Sequence, residues 1–264
     1  MSTNTVTYLK RPVGATARIF LLEIKFEFVK LFRTKPFTLA TIGFPVMFYV
    51  LFGIANKHVT SGNIALSKYM LGGYAVFGLI GAALFGIGVG MSSERAMGWL
   101  ELKRASPMPP MAYLAAKATT AIAFGLIITS VLAGVGIAFG GVSLSLAEYG
   151  HMLSIAAVGA VPFSALGMFL GMVMPSNAAA GIVNLIYLPL SFCSGLWVPI
   201  MFLPKMLQKV AVVSPVYHLA QLMENGFGYA DGSAMSTHWI ALAGFLMVMA
   251  GGAWVAFQRA EQNA

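Results

Sequence analysis

Charge is what this sequence has least of: only 16 of its 264 residues are Lys or Arg and only 8 are Asp or Glu. A soluble domain carries about a quarter of its residues charged. Charge this thin cannot coat a water-soluble fold of this length, so much of the surface must face lipid. Cysteine occurs once, at Cys193 in an apolar run, which excludes a disulfide framework and a Cys-rich metal centre. The four histidines, His58, His151, His218 and His238, show no ligand spacing, so no metal is expected. No Gly-x-x-x-x-Gly-Lys-Ser/Thr loop is present either, and the chain therefore lacks the usual cradle for ATP phosphates. The run "GIGVG" at 86–90 does not replace it, because no strand precedes it.

What is present is apolar. Hydrophobic residues make up 59% of the chain and the mean hydropathy is +0.83. A helix needs about 20 apolar residues to cross the hydrocarbon. Six runs meet that length, roughly 37–55, 69–91, 118–139, 152–173, 178–198 and 239–257. They lack period-2 alternation, which favours helices over barrel strands. Pro45, Pro162 and Pro189 fall inside them as expected kinks. Glycine pairs at i, i+4 (Gly86/Gly90, Gly136/Gly140 and Gly167/Gly171) suit close helix packing within one subunit.

The net charge of +8 and pI of about 9.7 fit the positive-inside rule, and no segment resembles a base-reading module, so no nucleic acid partner is expected. With a cytoplasmic N-terminus, twelve Lys and Arg fall in inner segments and four in outer ones. Both termini are then cytoplasmic. The head before the first run spans 36 residues with seven Lys or Arg, too long and too amphipathic for the start of a cleaved signal peptide.

The middle of each predicted span lacks Asp, Glu, Lys and Arg, which argues against a proton- or sodium-coupled carrier. The polar groups at depth are neutral. Asn184 and Ser191 share a face of the fifth run, with Tyr187 and Ser194 nearby. That face either lines a substrate path or glues helix to helix. An intramembrane hydrolase would need Ser164 paired with a histidine at equal depth, but His151 and His238 stand at span ends.

Two charged stretches stand out against this background. Residues 13–35 read as an interfacial helix. Glu23, Glu27 and Lys30 form a stripe, and Phe20, Leu21, Ile24, Phe28, Leu31 and Phe32 cover much of the rest. The second stretch, "SSERAMGWLELKRASPMPPMAYLAAK" at 92–117, joins two spans. It is expected to form a cytoplasmic helix over 92–110, with Ser92 and Ser93 as N-caps and Glu94, Arg95, Glu101 and Arg104 set around Trp99 and Leu100. The positive-inside rule explains its basic residues but neither the acids nor the apolar notch. A charged helix with an apolar notch suits docking into a protein groove.

These residues carry a resemblance. Glu94, Gly98, Leu100, Glu101, Leu102, Ser106, Pro107 and Lys117 match the pattern E-x-x-x-G-x-L-E-x-L-x-x-S-P followed by a Lys. Ser194, Gly195, Trp197, Pro199, Leu203, Pro204 and Pro215 match a Ser-Gly-aromatic-x-Pro turn with two later prolines. In this order they make the sequence resemble the membrane permeases of type-2 ATP-binding-cassette (ABC) exporters, over nearly its whole length.

The resemblance implies an all-α polytopic membrane protein, residues 1–264 forming one transmembrane domain with six spans and an outer re-entrant cap over 199–228. It implies a multi-pass permease in the cytoplasmic (inner) membrane, paired with a second copy. ATP and Mg would be held by a separate nucleotide-binding ATPase subunit, and this chain itself would bind no cofactor and catalyse nothing. Coupling to the ATPase would fall to Glu94, Arg95, Gly98, Trp99, Glu101 and Arg104, assisted by Glu23, Glu27 and Lys30. Asn184, Tyr187, Ser191 and Ser194 would line the path, and Trp197, Pro199, Pro204 and Pro215 would shape the cap. Drugs, lipids and polysaccharides are all cargoes of such permeases. The Met and Phe content, 17 and 19 residues, leans toward a hydrophobic or amphiphilic one.

Overall fold

The computed structural model describes residues 13–106 and 108–262. Helix α1 runs over Val13–Arg33. It breaks at Thr34, whose hydroxyl donates to the Lys30 carbonyl, and α2, Lys35–Phe48, starts with Pro36 in its first turn, where the missing N–H does no harm. Pro45 lies inside α2, and the helix continues as a π-helical stretch over Tyr49–Ile54. A small hairpin follows, pairing β1, Thr60–Ser61, with β2, Ile64–Ala65.

The next helix is the centre of the molecule. It starts as α3, Leu66–Ala83, passes through a π-helical stretch at Leu84–Val89 and ends as α4, Gly90–Ala96. Helices α6, Pro110–Phe139, and α7, Leu146–Val173, pack along it, with α2 on another side. Glycine allows the closest approach. A Cβ on Gly167 would lie 2.8 Å from the Ala83 carbonyl oxygen, and one on Gly171 would lie 3.0 Å from that of Gly88. The second and fourth runs thus use their small residues within the chain.

Among the described residues, five helical stretches are long and apolar enough to cross a membrane: Lys35–Ile54, Leu66–Ala96, Met111–Phe139, Leu146–Val173 and Met235–Arg259. They contain five of the six predicted spans. The run at 178–198 behaves differently. Its helix, α8, covers only Ala179–Cys193, 15 residues, or about 23 Å against a hydrocarbon core of about 30 Å. Gly195, at φ +81°, turns the chain there. With α11, Met235–Gln262, the molecule is an all-α polytopic membrane protein. Ile240, Met247 and Val248 on α11 and Leu39, Phe44 and Leu51 on the first span are exposed, as lipid-facing positions must be.

The charged connection is not one helix. Ser92 and Ser93 lie inside α4, where Ser92 donates to the Val89 carbonyl. The helix stops at Met97, and Gly98, at φ +75°, starts a second one, α5, over Trp99–Ala105. Only glycine takes that backbone without strain. After α8, a short 3-10 turn at Ile200–Phe202, helix α9 at Lys205–Ala211 and helix α10 at Pro215–Asn225 occupy the stretch expected as a cap. Each of these is too short to cross, and α10 packs against α3, α7 and α11.

Candidate functional site: a charged anchor and an aromatic cavity

Where α1 crosses α6, six charged side chains meet. Lys117 Nζ lies 2.7 Å from Glu27 Oε1 and 2.8 Å from Glu94 Oε1. Lys30 bonds to Glu27 at 2.6 Å and pairs with Glu94 as well. The Tyr113 hydroxyl donates to Glu94 Oε2 at 2.6 Å, and Lys103 of α5 pairs with Glu23. The sequence places these groups by simple helical spacing: Glu23, Glu27 and Lys30 recur at i, i+4, i+7 on α1, and Tyr113 and Lys117 at i, i+4 on α6. Three acids face three lysines, so the cluster is neutral as a whole.

Lys117 is 1% exposed and Glu27 4%. Burying such charges is tolerable only because each is paired, and removing one partner from a buried set costs about 3–5 kcal/mol. Burial pulls the Lys30 ammonium down, but Glu27 and Glu94 outweigh it and hold its pKa above the ordinary value. Phenylalanines complete the joint, with Phe28 and Phe37 packed 5.7 Å and 5.3 Å from the ring of Phe124. The cluster bolts α1, α4, α5 and α6 together.

The residues named from the sequence fall into two groups. Glu23, Glu27, Lys30 and Glu94 belong to this anchor, and Glu94 points inward. Arg95 also bonds within the chain, donating to the Met174 carbonyl at the end of α7. Glu101, Trp99, Leu102 and Met97 point outward, with Trp99 54% and Leu102 69% exposed. The Arg104 side chain and Pro107 lie outside the described residues. Sequence reading did not assign Lys103 and Tyr113 to the cluster, and it left Lys117 as a motif residue without a partner. A lysine opening an otherwise apolar helix is itself a signal that a carboxylate waits nearby.

A second feature lies between α2, α3 and α8. A cavity of about 380 Å³ is walled by Phe37, Phe44, Phe48, Phe77 and Phe85, with Asn184, Tyr187 and Leu188 on the α8 side. Tyr187 stacks on Phe77 at 4.6 Å and donates its hydroxyl to the Phe77 carbonyl at 2.7 Å. Ser191 donates to the Tyr187 carbonyl, and Ser194 pairs with Ser214 at 2.8 Å. The polar face of α8 therefore does two things. Tyr187, Ser191 and Ser194 make bonds inside the chain, while Asn184 is exposed and keeps its amide at the cavity wall. Trp197 lies 5.3 Å from Phe48 and 5.6 Å from Phe77 and extends the same aromatic column. Pro199, Pro204 and Pro215 immediately precede or open the 3-10 turn, α9 and α10.

The groups weighed for hydrolysis are engaged elsewhere. Ser164 donates to the Ala160 carbonyl, His151 bonds the Leu222 carbonyl, and His238 meets His218. Among the described residues, no three His, Cys, Asp or Glu side chains gather as metal ligands would.

The sequence that builds this arrangement has relatives among known proteins. The sequence profile described as ABC-2 type transporter matches residues 19–227. YvfS of Bacillus subtilis (strain 168), a protein named as a transport permease, is 29% identical over 193 residues, covering 73% of this chain and 78% of that protein. The matched region includes both the charged anchor and the cavity, and it shows that the chain belongs to the ABC-2 type transporter family, as a membrane permease subunit.

Proposed function

We propose that this permease is half of an ATP-driven exporter for a hydrophobic or amphiphilic cargo, drug-like or lipid-like. In this reading two copies meet in the cytoplasmic membrane, each crossing six times when α8 and the turn after it are counted together. Both termini are cytoplasmic, in keeping with the lysine and arginine distribution. A separate subunit binds ATP and Mg, and its closure pushes on the cytoplasmic connection.

One observation carries this reading: an exposed apolar knob, Trp99 and Leu102, mounted on a fully paired ion cluster whose centre, Lys117 and Glu27, is buried. A solvated loop needs neither the knob nor the mounting. A handle that transmits force needs both, since a push on α5 must reach α4 and α6 without being lost in side-chain motion. Glu94, Glu27 and Lys30 act as the mounting, and Trp99, Glu101 and Leu102 as the surface gripped. The hydrophobic cargo class rests on the aromatic cavity, which a polysaccharide would leave largely unpaired.

Reconstitution tests the proposal. Vesicles with this chain and its ATPase should export an apolar dye on addition of ATP, and vesicles with the chain alone should not. Export by the chain alone would overturn the reading.

A further inference from the structure

Glu224 stands at the end of α10, 1% exposed, and neither of its carboxylate oxygens has a hydrogen-bond partner among the described residues. It sits over Gly72 of α3, where an added Cβ would come within 2.4 Å of Oε1, and Phe227 packs beside the same spot. A side chain larger than hydrogen at position 72 would push this carboxyl away. The other titratable groups around it are occupied. From α3, Tyr69 donates to the Gly195 carbonyl and Lys68 is taken by Glu148 of α7 while lying over the Phe227 ring. From α7, His151 bonds the Leu222 carbonyl. Tyr229 accepts from the Ala65 amide, and Tyr217, His218, Asp231 and His238 bond among themselves toward the other end of α10.

An ionised carboxylate sealed off without a partner is strongly disfavoured, and burial holds the Glu224 carboxyl well above the ordinary carboxylate range. The Glu224 side chain therefore fits its place only as a neutral acid. We infer that Glu224 is a proton-binding site whose neutral form keeps the cap helix α10 docked on α3 and whose ionisation accompanies the lifting of that helix. The chemistry balances simply. When α10 lifts, the carboxylic acid gives its proton to water, and when α10 closes the carboxylate takes one back. The docked state binds the extra proton, so docking is strongest at low pH and weakens as pH rises toward the docked value. The outer position of α10 rests on the proposed function above, but the docking chemistry does not.

Accessibility of α10 in the full chain, purified in detergent, tests this without reference to membrane side. In a Cys193→Ser background, Met223→Cys, at a fully buried position, is labelled with a maleimide from about pH 6 to about pH 9. Rates are divided by those of an exposed Ser233→Cys control, which removes the thiol's own titration. The ratio should rise with pH by up to about tenfold per unit, and Glu224→Gln should abolish that rise, holding the ratio below the parent's across the whole range. A flat ratio in the parent chain, or an equal slope in Glu224→Gln, overturns the inference. A second measurement needs no variant at position 224. The infrared carbonyl band of a protonated carboxylic acid should be present at neutral pH and fade only where the labelling ratio levels off, and its absence at neutral pH also overturns the proposal.

Discussion

Lys117 and Glu27 sit 2.7 Å apart although 90 residues separate them in sequence. Each is almost wholly withdrawn from solvent. This pair joins the first helix to the sixth, and with Glu94 it fixes where the charged connection leaves the helical bundle.

Breaking that joint should be costly. Lys117→Met leaves Glu27 and Glu94 partly uncompensated in a buried site and should destabilise the protein by about 3–5 kcal/mol. Thermal unfolding of the purified chain in detergent measures it. Adding Glu27→Gln should recover part of the loss, because the stranded charge is then removed.

The exposed knob should behave oppositely. Trp99→Ala and Leu102→Ala remove no internal contact of the anchor, so melting should be nearly unchanged. Affinity for the ATPase subunit should fall by about 2 kcal/mol for an aromatic anchor, roughly thirtyfold. Co-purification and ATP-dependent export check the two halves of this expectation.

Gly98 tests the break between α4 and α5. A Cβ there meets no atom within 4 Å, but the backbone is at φ +75°. Gly98→Ala should therefore cost about 1–2 kcal/mol through the backbone alone, read as a fall in unfolding midpoint without loss of membrane insertion.

In the cavity, Asn184→Leu should weaken cargo that carries a hydrogen-bonding group by about 1 kcal/mol and spare purely apolar cargo. Fluorescence titration with two such dyes separates the cases. Tyr187→Phe should instead act on stability, by about 1 kcal/mol, since its hydroxyl serves the Phe77 carbonyl.

The corner between α10 and α11 should respond to acid. Burial first, and then the facing His238, hold the His218 imidazole below its ordinary value of 6.5. The unfolded chain then binds the proton more readily than the folded one. The contribution is fully present above the ordinary value and is lost as pH falls through the lowered one. Unfolding midpoints should drop on the acid side, and His218→Asn should flatten that limb. This trend runs opposite to the Glu224 response, so the two are separable by variant.

The crossings were legible because lipid imposes a crude rule: five apolar runs of adequate length became five long helices. The run at 178–198 yields a helix of only 15 residues, and composition does not reveal that Gly195 turns the chain after Cys193. The connection at 92–117 was recognisable by its charge, but the direction of each side chain was not. Glu94 and Glu101 look alike in sequence, and only the position of α1 beneath α6 decides that one is enclosed and the other free. Glu224 escaped notice for a similar reason. "HLAQLMEN" falls in the stretch read as a re-entrant cap, and its sequence does not reveal that Glu224 comes to lie over Gly72 of α3.

The bond from Arg95 to the Met174 carbonyl has a mechanical corollary. It ties the turn between α7 and α8 to α4, the helix that leads into Trp99, so a load placed on α5 would have two exits. One is the central column, and the other is the root of the short helix that bears Asn184. In the proposed exporter, the wall that bears Asn184 and the gripped knob would then share that one tether.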